Sequence, residues 1–146
     1  MTSNEISVGN VKIGKFMGYA LQLDDKNHCK GEYLKNGRRK SILSYHTDWS
    51  DLMGVVEYIE NLDLSNEHYQ WQHDGETRYN FEGISVTIDR CTCCIGIELA
   101  LDGFDRINNV TGTMQHPSKI EAVFLSVVEF IDWYENRYYA TQPIEI

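Results

Sequence analysis

The chain has 146 residues, a length typical of one domain, and its 42% hydrophobic and 24% charged residues are typical of a globular protein. Its 13 Lys and Arg against 22 Asp and Glu give a formal net charge of −9. This composition argues against a disordered, collagenous or coiled-coil chain, and the apolar runs are far shorter than the roughly 20 residues that cross a bilayer. Because no basic stretch followed by an apolar segment opens the chain, we expect a cytoplasmic protein with no membrane segment.

The first segments predict a short helix followed by strands. Residues 6–17 place apolar side chains among polar ones with helical spacing, and Gly18 would end the helix. Gly9 and Gly14 weaken this prediction, because glycine costs a helix about 1 kcal/mol relative to alanine. Strands are predicted over residues 19–23 and 29–34. Asn36-Gly37 is a typical hairpin turn, with Ile42 and Leu43 on the return strand.

The positive charge of the chain is concentrated around this turn. Residues 1–40 carry eight basic and four acidic side chains, a net charge of +4, whereas the rest of the chain carries −13. The basic cluster consists of Lys30, Lys35, Arg38, Arg39 and Lys40. It is either a solvated hairpin tip or a site for an anion or a partner. The acidity of the remaining surface leads us to expect no direct DNA binding.

A second helix is predicted from residue 49 onward. Apolar residues recur there at steps of three and four: Trp49, Leu52, Met53, Val56, Ile59 and Leu62. Thr47 or Asp48 is the predicted N-cap. Asp48 and Asp51 lie in the first turn, where the helix dipole favours negative charge, so their pairing does not indicate acid–base catalysis.

A candidate ligand site lies where the basic hairpin precedes this helix. The free N–H groups of a helix N-terminus can bind an anion, and an imidazole and aromatic rings stand next to them. If the hairpin folds back, these groups would surround a phosphate or nucleotide. The predicted ligand-binding residues are Lys35, Arg38, Arg39, Tyr45, His46 and Thr47.

The second half of the chain predicts an antiparallel meander and a last helix. Alternating apolar residues predict strands around 69–71, 79–81, 84–88 and 95–101, with Asp74-Gly75 as a hairpin turn. Residues 102–117 lack periodicity and predict a loop with at most a short extra turn. Ser118 and Glu121 have the spacing of a capping box, which predicts a helix to about Tyr138.

The order of these elements predicts an α+β fold. We expect a single domain over residues 1–140, in which about three helices pack on one face of a mostly antiparallel sheet of about five to six strands. Residues 141–146 are predicted to form a loose C-terminal tail, because Pro143 cannot continue a helix.

Three neighbouring cysteines are the weak candidates for a metal site: Cys91, Cys93 and Cys94. Structural zinc sites usually pair their ligands with C-x₂₋₄-C spacing, and on a strand Cys94 would face away from the other two. The C-x-C-C spacing also differs from the C-x-x-C of thiol redox proteins. Reduced, buried cysteines are therefore the favoured interpretation, and no cofactor is predicted.

The chain contains no recognisable catalytic motif. Its five histidines are scattered, its glycines match no nucleotide-binding pattern, and Ser118 is better explained as a helix cap than as a nucleophile. We therefore expect a non-enzymatic protein, although an acid and a base could still meet in the folded chain. Aromatic residues make up 12% of the chain and serve either the core or a protein interface.

Three segments carry a resemblance: NVKIGKFMG at 10–18, YHTDWSDLMGVVEYIE at 45–60 and SKIEAVFLSVVEFIDWYE at 118–135. Together they resemble a family of small uncharacterised proteins encoded by phages and prophages of Bacteroidetes-type bacteria. The middle motif of that family reads like Y-H-x-S-W-x-x-L-M-P-V-V-x-x-I-E and the last like S-K-I-E-A-V-x-x-x-V-V-x-F-I-x-W-Y. This chain has Gly54 where the family usually has Pro, and a larger strand region at about residues 63–90.

The resemblance implies a shared scaffold, a phage origin and an accessory role on host machinery, which in such proteins includes inhibition of host defence. It implies no known activity. The leading hypothesis is a non-enzymatic accessory protein that binds a host or phage protein through its acidic and aromatic surface. One alternative is a binder of an anionic metabolite or nucleotide at the basic hairpin, and another is an acidic mimic of nucleic acid.

Overall fold

The computed structural model describes residues 1–23, 29–40, 43–64, 69–70, 78–101 and 104–141. Within these residues every pair of strands is antiparallel, and three helices accompany them, which confirms the predicted α+β class. The elements are α1 (Ser3–Phe16), β1 (Ala20–Leu23), β2 (Cys29–Lys35), β3 (Arg38–Lys40), α2 (Trp49–Glu60), β4 (Tyr69–Gln70), β5 (Arg78–Asp89), β6 (Thr92–Leu101), β7 (Phe104–Asn109), β8 (Met114–Gln115) and α3 (Lys119–Thr141).

The described strands form two sheets, whereas the sequence predicted one sheet of about five to six strands. The first sheet has three strands in the order β1-β2-β3. The second has five, in the order β4-β5-β6-β7, with β8 pairing to β6. Helix α2 lies between the strands of the two sheets along the chain. Strands β1 to β3 and β4 to β7 pair with their neighbours in sequence, as short connections favour, and only β8 among the described strands pairs with a more distant one.

Helix α1 runs through both of its internal glycines. It begins at Thr2, whose Oγ1 accepts a hydrogen bond of 3.1 Å from the Glu5 N–H. A Cβ placed on Gly9 would lie 2.5 Å from Cζ of Phe124 in α3, and one placed on Gly14 would lie 2.4 Å from Cδ1 of Leu43. The glycines therefore permit close packing of α1, and this contact outweighs their low helix propensity.

The core lies between the helices and the five-stranded sheet. Helix α3 packs against β6 and α1, while α2 packs against β5 and α3. The inward residues of β6 are almost fully buried, as are those in the middle of α3: Ile95, Ile97, Leu99, Val123, Phe124, Val127, Phe130 and Ile131.

Trp49 does not begin the buried stripe of α2 as predicted. Its side chain is 40% exposed, and Val55 is buried with Leu52, Val56 and Ile59 instead. Trp49 is the first residue of the helix, and it lies at the margin of the face on which the buried residues are centred.

Strand β5 joins two predicted strands into one of 12 residues. Its pairing with β6 shifts in register between Phe81 and Gly83. Such a β-bulge lets two residues at odd spacing share one face of a sheet. Phe81 and Ile84 accordingly both pack on the core, although they are three residues apart.

Residues 102–117 are not a loop along their whole length, because β7 and β8 lie within them. Both strands pair along the same edge of β6, and between them the N–H groups of Val110 and Thr111 both donate to the carbonyl of Ile95. Strand β7 is the last strand in the described sheet order. An edge strand needs no alternating apolar pattern, which explains why no strand was predicted at residues 104–109.

Helix α3 continues to Thr141, three residues beyond the predicted end and one residue into the predicted tail. Three predicted features lie outside the described residues: most of the tail (142–146), the turn at Asp74-Gly75, and Ile42 on the return strand of the first hairpin. Among the helices described, none is long and apolar enough to cross a membrane.

Candidate functional site

The predicted hairpin of the basic cluster is present. Asn36 and Gly37 have φ angles of 50° and 78°, which is the backbone of a type I′ turn, and Lys35 pairs with Arg38 across it. Arg38 is exposed. The side chains of Lys30, Arg39 and Lys40 lie outside the described part of the structure, so the described basic surface at this turn consists of Lys35 and Arg38.

Lys35 reaches back from the hairpin toward the residues that follow α1. Its Nζ lies 5.5 Å from the centre of the Tyr19 ring, a cation–π contact. Tyr19 in turn lies close enough to Tyr45 to contribute to the raised pKa of the Tyr45 hydroxyl. Lys35 thus contacts the Tyr19 ring, while Tyr19 acts on Tyr45 only through the pKa of its hydroxyl.

Tyr45 is part of the core and not of an open pocket. Its side chain is 3% exposed. Burial, Tyr19 and Asp51 raise the pKa of its hydroxyl to about 12, because each disfavours the phenolate. Tyr45 is thus a neutral, buried phenol at neutral pH.

His46 is held by Asn10, a residue that sequence reasoning did not select. The buried Asn10 side chain accepts a hydrogen bond of 2.8 Å from the Tyr45 N–H through Oδ1. Its Nδ2 therefore faces His46 Nδ1, 2.9 Å away, and donates to it. The imidazole consequently accepts at Nδ1 and carries its hydrogen on Nε2, and its ring also contacts Phe124 of α3 edge to face.

The N-terminus of α2 is capped by the chain itself. Asp48 is the N-cap, and its Oδ1 accepts a hydrogen bond of 3.0 Å from the Asp51 N–H. Thr47 is exposed in the preceding turn, where its N–H donates to the Ser44 carbonyl. An anion approaching this end of the helix would meet the carboxylates of Asp48 and Asp51.

A further exposed surface lies on α2 and was not predicted from the sequence. We define the α2 surface as Gly54, Glu57, Tyr58 and Glu60, all of which are exposed. The Tyr58 side chain is 46% exposed, yet its ring is held edge to face against Phe16 at 5.2 Å, and Phe16 contacts Tyr134 in the same way at 5.6 Å. An exposed aromatic ring that is already positioned can bind a partner at little entropic cost.

The carboxylates of the α2 surface lie near the end of the helix where negative charge is unfavourable. Glu57 and Glu60 lie near the C-terminus of α2, whose last turn contains no basic residue. The partial negative charge of a helix C-terminus disfavours them by roughly 0.3–1 kcal/mol each. Neither forms an ion pair with another described residue. These two features, acids at a helix C-terminus and an aromatic residue off the apolar stripe, are the sequence signal that could have located the surface.

The three cysteines occupy separate environments. Cys93 points into the core, and burial raises the pKa of its thiol. The thiols of Cys91 and Cys94 donate to the carbonyls of Pro117 and Thr111. All three are free, and among the described residues no group of three or more His, Cys, Asp or Glu side chains is arranged to hold a metal ion.

One further polar cluster lies at the start of α3. His116 Nδ1 is 2.8 Å from Glu121 Oε2, and the Ser118 N–H also approaches this nitrogen, at 3.2 Å. In a capping box that N–H would bond to the Glu121 carboxylate, so His116 takes part of the role that the sequence assigned to Glu121. The nearby Cys91 thiol donates to a backbone carbonyl and not to the imidazole, so the geometry does not pair a nucleophile with a base.

Comparisons of the chain with protein-family profiles, with curated proteins and with solved structures found no match.

Proposed function

We propose that this protein is a non-enzymatic binding module, an accessory protein of a phage or prophage that attaches to a host or phage protein through the α2 surface. A protein of a host defence system is one class of target. The resemblance of residues 10–18, 45–60 and 118–135 to phage-encoded proteins supports the accessory role.

The observation that carries this proposal is the exposed Tyr58, positioned by Phe16 on a helix whose last turns also carry the exposed Glu57 and Glu60. Among the described residues, no ion pair offsets the unfavourable position of Glu57 and Glu60 at this end of α2. A partner with a positively charged surface would offset the unfavourable position of these two carboxylates. Tyrosine is also among the residues that most often dominate the energetics of protein interfaces.

A protein is a better fit than a nucleotide. The charged residues of the segment 43–64 are five acids, with no Lys or Arg: Asp48, Asp51, Glu57, Glu60 and Asp63. This segment therefore repels an anion and attracts a basic surface. The nucleotide hypothesis keeps only Lys35 and Arg38 in the described structure, and Lys35 is already engaged with Tyr19.

Site-specific photo-crosslinking tests the proposal. A photoreactive amino acid at position 58 is expected to give a cross-linked product of discrete mass in lysate of a Bacteroidetes-type bacterium. The matched control carries it at Thr87, an exposed residue of β5. Glu57→Gln together with Glu60→Gln should strongly reduce the product, because the charge that attracts the partner is removed.

The proposal fails if position 58 yields no product or if position 87 yields the same one. Mass spectrometry of the product separates the rival functions. A DNA-binding protein that is released by added DNA would favour the nucleic-acid mimic. A melting temperature raised by nucleotides, and no longer raised after Arg38→Ala, would favour the nucleotide binder.

A further inference from the structure

The hydrogen bond between Asn10 and His46 joins two elements that are far apart in the chain. Asn10 lies in α1, and His46 lies in the turn before α2. Asn10 is only 5% exposed, so a hydrogen bond that it loses is not readily replaced by one to water. His46 is partly exposed, which lets its ring exchange protons with the solvent.

One backbone group fixes the direction of both hydrogen bonds of the Asn10 side chain. The Tyr45 N–H can only donate, so the Asn10 oxygen faces it, at 2.8 Å. The Asn10 amide nitrogen is thereby turned toward His46 Nδ1, at 2.9 Å. Because that amide nitrogen is itself a donor, the contact is a hydrogen bond only while Nδ1 carries no hydrogen.

Protonation of His46 therefore brings two donors face to face. A charged imidazole has an N–H group at both ring nitrogens, and the one at Nδ1 would point at the NH₂ group of Asn10. Turning the Asn10 amide over would offer its oxygen to the imidazole, but would place the NH₂ group against the Tyr45 N–H. Neither arrangement keeps both hydrogen bonds, so a proton on His46 breaks at least one of them.

Among the described contacts of the His46 ring, no charged side chain offsets this conflict. Helix α1 presents Asn10 to the ring, and α3 presents Phe124. Tyr45, the preceding residue, is a neutral phenol because its pKa is raised to about 12. The charged residues closest in sequence to these contacts already have partners: Lys12 with Asp132, Glu121 with His116, and Asp48 with the Asp51 N–H.

We propose that Asn10 and His46 form a pH-sensitive latch, which fastens α1 to the turn before α2 while the imidazole is neutral and opens when the imidazole is protonated. Histidine is the side chain whose charge normally changes between about pH 5 and 8. Mild acidification therefore loosens this turn from α1. The latch is independent of the proposed function, because neither residue belongs to the α2 surface.

Nuclear magnetic resonance of the full-length ¹⁵N-labelled protein tests the latch directly. At about pH 8 the His46 ring should carry its hydrogen on Nε2, which two-bond nitrogen–proton couplings report. As the pH is lowered to about 5, signals of the Asn10 side-chain amide and the Tyr45 backbone amide should shift with the same midpoint as the His46 ring. A hydrogen on Nδ1 at the higher pH, or amide signals that stay fixed while the ring titrates, would overturn the proposal.

The variant His46→Gln separates the latch from the general effect of acid. Glutamine has an amide oxygen that can accept from Asn10 and does not titrate. Over the same pH range the melting temperature of the natural protein should fall about 2–5 °C further than that of the variant, as expected for one buried hydrogen bond. The other four histidines are common to both proteins, so the difference isolates position 46.

The variant Asn10→Asp should reverse the response. One carboxylate oxygen can accept from the Tyr45 N–H and the other from a protonated Nδ1, so this variant should lose less melting temperature on acidification than the natural protein. Equal losses in the natural protein and Asn10→Asp would contradict the latch. If the buried carboxylate prevents folding, His46→Gln decides the question, since an equal loss in that variant also overturns the proposal.

Discussion

Glycine is required by close packing at position 9 but not at position 54. Gly9 lies under the ring of Phe124, whereas Gly54 faces open space. Sequence reasoning treated Gly9 only as a weakness of the predicted helix, because propensity contains no information about the neighbour that approaches it.

Alanine substitutions at the two glycines should change the free energy of unfolding in opposite directions. Gly54→Ala is expected to raise the free energy of unfolding by about 0.5–1 kcal/mol through helix propensity. Gly9→Ala is expected to lower it by about 1–3 kcal/mol, because the added methyl group overlaps an aromatic ring that cannot move aside easily. Urea denaturation of both variants checks this, and a stabilised Gly9→Ala variant would contradict the close contact between α1 and α3.

Tyr45 predicts how stability depends on alkaline pH. Its pKa rises from 10.0 to about 12 on folding, so the unfolded chain loses this proton first as the pH increases. The contribution of Tyr45 is therefore fully present below pH 10 and is lost as the pH rises toward about 12. In urea denaturation, the difference in stability between the natural protein and Tyr45→Phe should shrink over this range. Parallel pH profiles of the two proteins would argue against a buried, neutral phenol.

At the scale of elements, α2 is stabilised at one end and destabilised at the other. Asp48 caps its N-terminus, where negative charge is favourable, while Glu57 and Glu60 stand near its C-terminus, where it is not. The sequence located this helix correctly, since a regular apolar stripe depends only on residues within the helix. It did not locate the α2 surface, because the Tyr58 ring is positioned by Phe16 of α1, which itself packs on Tyr134 of α3.

Neutralising the acids of α2 should change stability in opposite directions at its two ends. Asp48→Ala is expected to lower the free energy of unfolding by about 0.5–2 kcal/mol through loss of the cap. Glu57→Gln and Glu60→Gln should each raise it by about 0.3–1 kcal/mol at low ionic strength. Thermal denaturation at low and high salt provides the measurement, since the gain from the glutamate variants should fade as salt screens the helix dipole. A stability loss in both glutamate variants would mean that these acids have a favourable partner within the chain.

At the scale of the whole molecule, the chain has a formal net charge of −9. Among the described residues Lys12 pairs with Asp132, and His116 contacts Glu121, which is an ion pair only when the imidazole is protonated. The Lys12 and Asp132 side chains are 38% and 47% exposed, and pairs this exposed contribute about 0–1 kcal/mol. An excess of like charge this large repels itself and opposes the compact state.

Screening by salt should therefore stabilise the protein. Raising the NaCl concentration from a few millimolar to physiological values is expected to increase the melting temperature, because repulsion among like charges destabilises the compact state. The control is sucrose at matched osmolality, which does not screen charge. A melting temperature that falls with salt would show that ion pairing dominates the electrostatics.

Patterns contained within one element were readable from the sequence alone. The Asn36-Gly37 turn, the stripe of α2, the alternation in β6 and the helical stretch of α3 all depend on residues close in the chain, and the structure has each of them. Tertiary contacts decided the rest. The strands divide into two sheets, β7 pairs at an edge where no alternation is needed, and Asn10 joins His46 from 36 positions away. The α2 surface belongs to this second group, because whether a side chain is buried depends on which distant elements pack over it.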